Sequence, residues 1–276
     1  MNQQQGPVRR KLSVVKATQD ANVEEGTKQR LLDAAERLIA DEGTSHVSMR
    51  RINAEAGAKN LSAVHYHFGS MEAVIRGVID MRMPHINRRR LEMLSELTEL
   101  QQSNLAQVVN TVVWPLAEQL LSSTPPNFYV RFLDAFNQSP NYDAWSTIAR
   151  KHRRGLTQAY ILIRRALPEI PADVLHVRIM LASREMVQTL AAVDRVILER
   201  HAGQRDRLVL FHASDLVTRL VASLSAPVSD VTLAARAMVM SGPRPQSAML
   251  FGPDSMWRVG GRSRVPLKAA PRRVEK

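Results

Sequence analysis

The chain has 276 residues, of which 45% are hydrophobic and none is cysteine. This length and composition fit one large or two smaller domains with a substantial core. The missing cysteines exclude disulfides, cysteine zinc sites and thiolate catalysis. Residues 1–16 lack the apolar segment of a secretory signal, and no apolar run reaches the ~18–20 residues of a membrane span. We therefore predict a cytoplasmic protein with no membrane partner.

The net charge of +12 is concentrated at the two ends of the chain. Residues 1–16 carry +4 and residues 227–276 carry +6, so the 210 residues between them carry only +2. Basic arms can add salt-sensitive affinity for phosphates that does not depend on sequence. Solvated tails without a partner fit the same composition equally well. We predict that residues 1–24 are a disordered basic arm and that residues 227–276, which contain several prolines and glycines, are a disordered tail.

The first predicted helix covers about residues 27–41. Its apolar residues share one face: Leu31, Leu32, Ala35, Leu38 and Ile39. Such a helix would pack across the segment that follows and fix its angle.

Residues 48–57 have the features of a short helix with both ends marked. Ser48 is an N-cap residue type, and Met49, Ile52 and Ala56 recur with helical spacing. Gly57 follows at the C′ position, where a left-handed residue closes a helix without Cβ strain.

A second short helix is predicted after the polar turn, with Ser62 as its N-cap. Val64 and Phe68 are spaced i, i+4 and would anchor it inward, which leaves residues 65–67 largely outward. Ser70 then caps a further helix. Two short helices joined by a tight turn form a helix-turn-helix, and in DNA-binding versions the second helix enters the major groove.

Four separated blocks of this region resemble the TetR family of bacterial transcriptional regulators. They are Thr27–Gly43, Ala56-Gly57, Val64–Phe68 and Ser70–Val74. The chain departs from the family pattern in three places: His65 replaces the first tyrosine of Tyr-Tyr-His-Phe, Met71 replaces a lysine, and the turn after Gly57 is one residue longer.

The resemblance implies a DNA surface made mostly by the second short helix and the turn before it. Ser48, Tyr66 and His67 match positions that commonly touch phosphates in the family. Asn60, Ser62 and Ala63 would meet base edges, where asparagine can pair with adenine and small residues allow approach to a thymine methyl. The predicted DNA contacts are Ser48, Arg50, Arg51, Lys59, Asn60, Ser62, Ala63, His65, Tyr66 and His67.

No metal or other cofactor is predicted. His65 and His67 are two residues apart, a spacing that shares a strand face but not a helix face, and the chain has no cysteine or nearby acid cluster to complete a site.

Helical periodicity continues through the rest of the chain. A helix from Ser70 is predicted to reach about Met83, where Pro84 interrupts it, and residues 85–100 continue with Arg88, Arg89 and Arg90 outward. Further helices are predicted at about 105–116, 126–137, 142–166, 171–200 and 205–224, and residues 228–240 are compatible with one more helix.

Hardly any segment shows strand alternation, so an all-α fold is predicted. It would consist of a helix-turn-helix DNA-binding domain over residues 25–85 and a helical ligand-binding and dimerisation domain over residues 86–226. The resemblance implies that about 171–200 and 205–225 form a four-helix interface with a second copy of the chain. A purely intramolecular role for these helices is the alternative.

Helical regulators of this kind can enclose an apolar cavity that carries a few polar groups. Candidate effector-pocket residues are Trp114, Phe132, His152, Tyr160 and Arg184. Each of them is equally well interpreted as packed core.

The sequence therefore predicts a homodimeric regulator, most simply a repressor, that binds a palindromic double-stranded operator and is released by a small-molecule effector. A weakly specific architectural protein that coats DNA through its basic arms is a second hypothesis. An enzyme with a DNA-binding head is a third, and the lack of a recognisable catalytic motif argues against it.

Overall fold

The computed structural model describes residues 7–58, 62–121, 127–139, 149–200 and 202–241. These residues are helical and contain no β-strand, as the sequence predicts. The α-helices are α1 Pro7–Glu42, α2 Met49–Glu55, α3 Ala63–Phe68, α4 Met71–Glu96, α5 Glu99–Gln102, α6 Leu105–Ala117, α7 Tyr129–Asn137, α8 Arg154–Ala166, α9 Ala172–Arg200, α10 Arg205–Ser225 and α11 Asp230–Ser241. Short 3₁₀ turns occur at Glu118–Leu120, Arg150–His152 and Ala202–Gln204.

The helices form two regions that share one continuous core. We call the described residues of 27–79 the head and those of 80–225 the body. In the head, α1 packs on α2, α3 and α4, and the fully buried side chains include Leu31, Ile39, Ile52, Val64 and Ile75. These are the apolar positions that helical spacing places on inward faces.

Helix α1 begins twenty residues earlier than predicted. Residues 7–24, expected to be disordered, are helical in the structure, while residues 1–6 lie outside the described residues. Pro7 occupies the first helical position, where its missing N–H is not needed. Residues 8–25 contain no glycine or proline, so nothing in the chain stops the helix before Gly26.

Helix α4 runs without interruption from the head into the body. The predicted break at Pro84 is wrong: Met71–Glu96 is one helix with Pro84 inside it. The prediction that Arg88, Arg89 and Arg90 all point outward is wrong for Arg90. Arg88 is exposed and Arg89 pairs with Glu118, but Arg90 is only 3% exposed. Arg90 is buried because it lies one turn from both Ile86 and Leu94, on the face that meets α6 and α8.

The body packs its helices around α7 and α6. Helix α7 lies between α1 and α9, while α6 contacts α4, α8 and α10. Tyr129, Phe132 and Phe136 follow one face of α7 at i, i+3 and i+7 and are fully buried. Their rings stack with centroid separations of 5.9 Å and 6.2 Å, which makes this row the bulkiest part of the core.

Two ion-pair networks tie the head to the body. Glu36 of α1 is 1% exposed and accepts from Nε of Arg82 on α4 at 2.7 Å and from the amide of Phe128 at 2.8 Å. Burial raises the pKa of Glu36, although Arg82 acts in the opposite direction. The second network joins Asp41 of α1 to Asp194 of α9 through Arg131 of α7.

Two other boundaries differ from prediction. The expected helix over 142–166 is not continuous in its described part, because a 3₁₀ turn at Arg150–His152 precedes α8 at Arg154. In the expected C-terminal tail, the one segment compatible with a helix, residues 228–240, is helical as Asp230–Ser241, and Arg236 pairs with Asp173 near the start of α9. Residues 242–276 of that tail lie outside the described residues.

Helix α10 is long and apolar enough to cross a membrane by length and composition, a test that core helices of soluble proteins also pass. Six of its residues are buried against the rest of the body: Val209, Ala213, Leu216, Val217, Leu220 and Leu224. The absence of a membrane partner therefore stays a prediction.

Candidate nucleic-acid interface

Helix α2 forms as its local sequence predicts. The Ser48 hydroxyl accepts from the Arg51 amide at 3.3 Å, and Gly57 follows the C-terminal residue Ala56 with φ +60°. Ile52 and Asn53 face inward, whereas Ser48, Arg50 and Arg51 are exposed. The cap and the left-handed glycine together fix where α2 begins and ends.

Helix α3 has only six residues, so its position depends on neighbouring elements rather than on its own helix propensity. Val64 is fully buried, and its amide donates to Oδ1 of Asn53 on α2 at 3.0 Å. Asn53 is itself 2% exposed and satisfies an amide that the first turn of α3 leaves without a helical partner. Ser62 occupies the N-cap position but its side chain does not cap the helix.

The other side of α3 rests on α4 and α1 through Phe68. A Cβ atom added to Gly77 of α4 would come within 2.8 Å of Cδ2 of Leu32 and 3.2 Å of Cε1 of Phe68. The missing side chain at Gly77 therefore lets α1 and α3 pack closely against α4. Ser70 then starts α4 by accepting from the Ala73 amide at 3.2 Å, as predicted.

The outward face of α3 carries polar and aromatic groups. Tyr66 is 76% exposed, so most of its side chain is open to solvent. His65 is exposed beside it, and His67 is half-buried with its ring 5.1 Å from that of Tyr66 in an edge-on arrangement. This face presents hydrogen-bonding groups to solvent.

Seven of the predicted DNA contacts lie at the surface, on the adjacent helices α2 and α3 or at their N-caps. Ser48 and Arg50 lie on the exposed side of α2, and Arg51 is exposed but pairs with Glu42 of α1. Ser62, His65 and Tyr66 are exposed at α3, with His67 beside them.

One of the predicted contacts is not on this surface, and two others lie outside the described residues. Ala63 is 6% exposed because it packs into the head core, so it does not present its methyl group to a base. Lys59 and Asn60 lie outside the described residues.

Residues 31–78 match the sequence profile of the family described as bacterial regulatory proteins, tetR family. This head is a TetR-family DNA-binding domain. The chain is therefore a DNA-binding transcription regulator, and proteins of this family are regulators rather than enzymes. A comparison with curated proteins found no match.

The candidate effector-pocket residues of the TetR-type regulator do not form one cluster. Phe132 belongs to the aromatic row of α7, His152 is buried beside α4, and Tyr160 is buried on α8. Trp114 is half-buried on α6. Arg184 is exposed on α9, because it falls between the inward positions Ala182 and Met186, so it does not line the interior.

Four polar residues in the same part of the body as His152 were not predicted from the sequence. They are Asp80, Asn87, Arg90 and Tyr129. The i, i+4, i+8 spacing of Ile86, Arg90 and Leu94 would have indicated that Arg90 lies on an inward face. Among the described residues, no group of three or more His, Asp or Glu side chains could hold a metal ion.

Proposed function

We propose that the protein is a homodimeric repressor that acts in the cytoplasm, binds a palindromic operator and is released by a small molecule bound in the body. The observation that carries the proposal is the outward face of α3 in a TetR-family head, with Tyr66 76% exposed. Two such heads would insert α3 into successive major grooves, roughly 34–36 Å apart.

The proposed dimer interface is the outer surface of α9 and α10. Both helices pack on each other with their inward stripes, yet Leu181, Val196, Leu210 and Phe211 stay between 47% and 65% exposed. A groove of about 360 Å³ lies between the two helices. Of its eight lining residues five are apolar and one is threonine. Exposed apolar side chains grouped on neighbouring helices can mark a protein interface, and a stable one buries roughly 1,200–2,000 Å² in total.

The effector's action follows from linkage. A ligand that binds more tightly to one arrangement of the heads than to another changes operator affinity by that difference and by no more. Helix α4 and the two ion-pair networks connect the body to the head, so a ligand in the body can favour one head spacing.

The primary test is selection of binding sites from a random pool of double-stranded DNA at roughly physiological salt. An enriched inverted repeat supports a sequence-specific dimer. General binding with no enriched sequence, and with a steep dependence on salt, would favour an architectural protein instead. No binding at all would contradict the proposed role of α3 in the ligand-free protein.

We expect the double variant Val196→Asp/Phe211→Asp to be monomeric. Each added carboxylate would lie in the proposed interface without a partner, and dimerisation should weaken by at least about 100-fold. Light scattering coupled to size exclusion should then give 31.0 kDa rather than twice that mass.

Leu100→Asp is the matched control for this substitution, because Leu100 is 83% exposed on α5. It should leave the dimer intact. A dimeric Val196→Asp/Phe211→Asp variant would place the interface elsewhere.

We also expect Asn53→Ala to lower affinity for the selected DNA about 10-fold, since losing a helix cap costs about 1–2 kcal/mol and loosens α3. The readout is fluorescence anisotropy with labelled DNA. Asn137→Ala, at the end of α7, tests the same truncation away from the head and should bind normally. Unchanged affinity of Asn53→Ala would mean that Asn53 does not position α3.

A further inference from the structure

A stripe of polar side chains runs along α4 inside the body. Asp80, Asn87 and Arg90 lie at i, i+7 and i+10, on the side of α4 that meets α8 and the 3₁₀ turn Arg150–His152. Tyr129 joins them from α7, and the charge of Arg90 is one of those that act on its pKa. Asn87 and Arg90 are buried, while the Asp80 side chain is 38% exposed with its Oδ1 atom buried. Buried polar atoms such as these call for hydrogen-bonding partners.

Several atoms of this stripe have no hydrogen-bond partner among the described residues. Nη2 of Arg90 donates to the Val112 carbonyl at a long 3.4 Å, but its Nε and Nη1 are buried and unpaired. The Tyr129 hydroxyl is fully buried and also unpaired. Nε2 of His152 lies 3.3 Å from Oδ1 of Asp80 without hydrogen-bond geometry.

The guanidinium of Arg90 is held in place and keeps its charge. A Cβ atom on Gly155 of α8 would come within 3.1 Å of Cδ of Arg90 and 2.9 Å of Oδ1 of Asn87, so this glycine leaves the space that the arginine stem fills. Asn87 in turn accepts from the Gly155 amide at 2.9 Å. Burial lowers the pKa of Arg90 to about 10, so it is protonated at neutral pH.

Arg90 is a buried cation with free donors, and Tyr129, whose pKa the charge of Arg90 influences, has a free buried hydroxyl. A carboxylate accepts several hydrogen bonds and carries one negative charge, so it matches these groups. The stripe holds the Arg90 guanidinium and also the Asp80 carboxylate beside His152, so it favours a monoanion over a phosphate dianion. The aromatic row of Tyr129, Phe132 and Phe136 next to it favours an apolar remainder of the ligand.

We propose that Arg90, Tyr129 and His152 form the anion-binding end of the effector site, and that the effector is an apolar organic monocarboxylate. This inference rests on the proposed function, since it names the chemical class of the ligand that would release the operator. Without the ligand, Arg90 is a buried charge that the fold tolerates at the expense of stability.

The test is thermal unfolding of the full-length protein with sodium benzoate and sodium octanoate, each compared with its neutral amide and with inorganic phosphate. We expect a carboxylate at about 100 times its Kd to raise Tm by roughly 5–10 °C. The amides and phosphate should leave Tm unchanged. No rise with either carboxylate, or an equal rise with the amides, would overturn the proposal.

Arg90→Met separates a ligand-binding role from a structural one. It should abolish the carboxylate response while its own ligand-free Tm equals or exceeds that of the native protein, because an unpaired buried charge has been removed. Arg89→Met is the matched control, since Arg89 is partly exposed and pairs with Glu118, and it should retain the response. A carboxylate response that persists in Arg90→Met, or a large fall in its ligand-free Tm, would contradict the assignment.

DNA binding distinguishes failure of this inference from failure of the proposed function. Ligand-free Arg90→Met should bind the selected DNA as the native protein does, and carboxylate should release only the native protein. If no DNA sequence is selected but the carboxylate response depends on Arg90, the result supports the carboxylate site and contradicts the proposed repressor function.

Discussion

Tyr66→Ala combined with Ser62→Asp should nearly abolish DNA binding while leaving the dimer intact. Tyr66 is the most exposed large side chain of α3, and Ser62 begins that helix at the surface. In the proposed complex, the truncation removes a phosphate contact worth at least ~1.5 kcal/mol per head, and the new carboxylate repels the DNA backbone. With two heads, affinity should fall by more than about 100-fold.

Fluorescence anisotropy with the selected DNA measures this loss, and size exclusion with light scattering checks the oligomeric state. Ser103→Asp adds the same charge at the end of α5, beyond the far end of α4, and should bind normally. Unchanged affinity of the double variant would refute the placement of α3 in the major groove.

Arg131→Met should destabilise the protein strongly, because it breaks a buried ion pair. Arg131 donates to Oδ1 of Asp41 at 2.7 Å and to Oδ2 of Asp194 at 3.0 Å, and Asp194 is only 3% exposed. Removing one partner of a buried ion pair costs about 3–5 kcal/mol, since the other charge stays buried. For a protein of this size we expect Tm to fall by roughly 6–20 °C.

The loss should depend on pH in a defined direction. Burial already raises the pKa of Asp194, although Arg131 and Arg205 lower it, so removing Arg131 raises that pKa further. When the pKa of a carboxyl group is higher in the folded state than in the unfolded state, the free energy of unfolding falls as the pH rises through the two pKa values. At a pH below both values the carboxyl group is protonated in both states and this loss is absent. The deficit in Tm should therefore shrink as pH falls towards the ordinary pKa of aspartate.

Two variants complete the experiment. Arg131→Met/Asp194→Asn should recover much of the lost Tm, since the remaining Asp41 is half-exposed and stays hydrated. Arg76→Met removes a pair with Glu72 in which both side chains are more than half exposed, and it should change Tm little. A small effect of Arg131→Met would mean that Asp194 finds sufficient compensation in Arg205.

The parts of the fold that the sequence predicts well are those set by local chemistry. Ser48 and Ser70 cap α2 and α4, and Gly57 has the positive φ expected after α2. Each of these features depends on residues within one helical turn. The continuity of α4 is not predicted, because a proline inside a helix costs stability that packing on both sides can offset, and that packing is not visible in the sequence.

The parts that escape prediction depend on contacts between distant segments. Asn53 supports α3 from eleven residues away, and Ala63 is buried by the packing of α3 rather than by any local pattern. The pairs of Arg131 join residues 90 and 63 positions apart. Charged residues usually lie at the surface, so a buried arginine is recognised only from the apolar neighbours on its own helix face.

Helix α4 also couples the orientation of the head to that of the body. Its 26 residues span about 39 Å, with Ser70 of the head at one end and Arg90 of the body near the other. A tilt of only ~5° at the body end displaces the head end by ~3 Å, close to the rise of one base pair. Pro84 removes the amide that would bond the Asp80 carbonyl, yet the helix continues through it as one element that joins head and body. In the proposed mechanism, a ligand bound at Arg90 that tilts α4 by ~5° would move the head out of register with the operator.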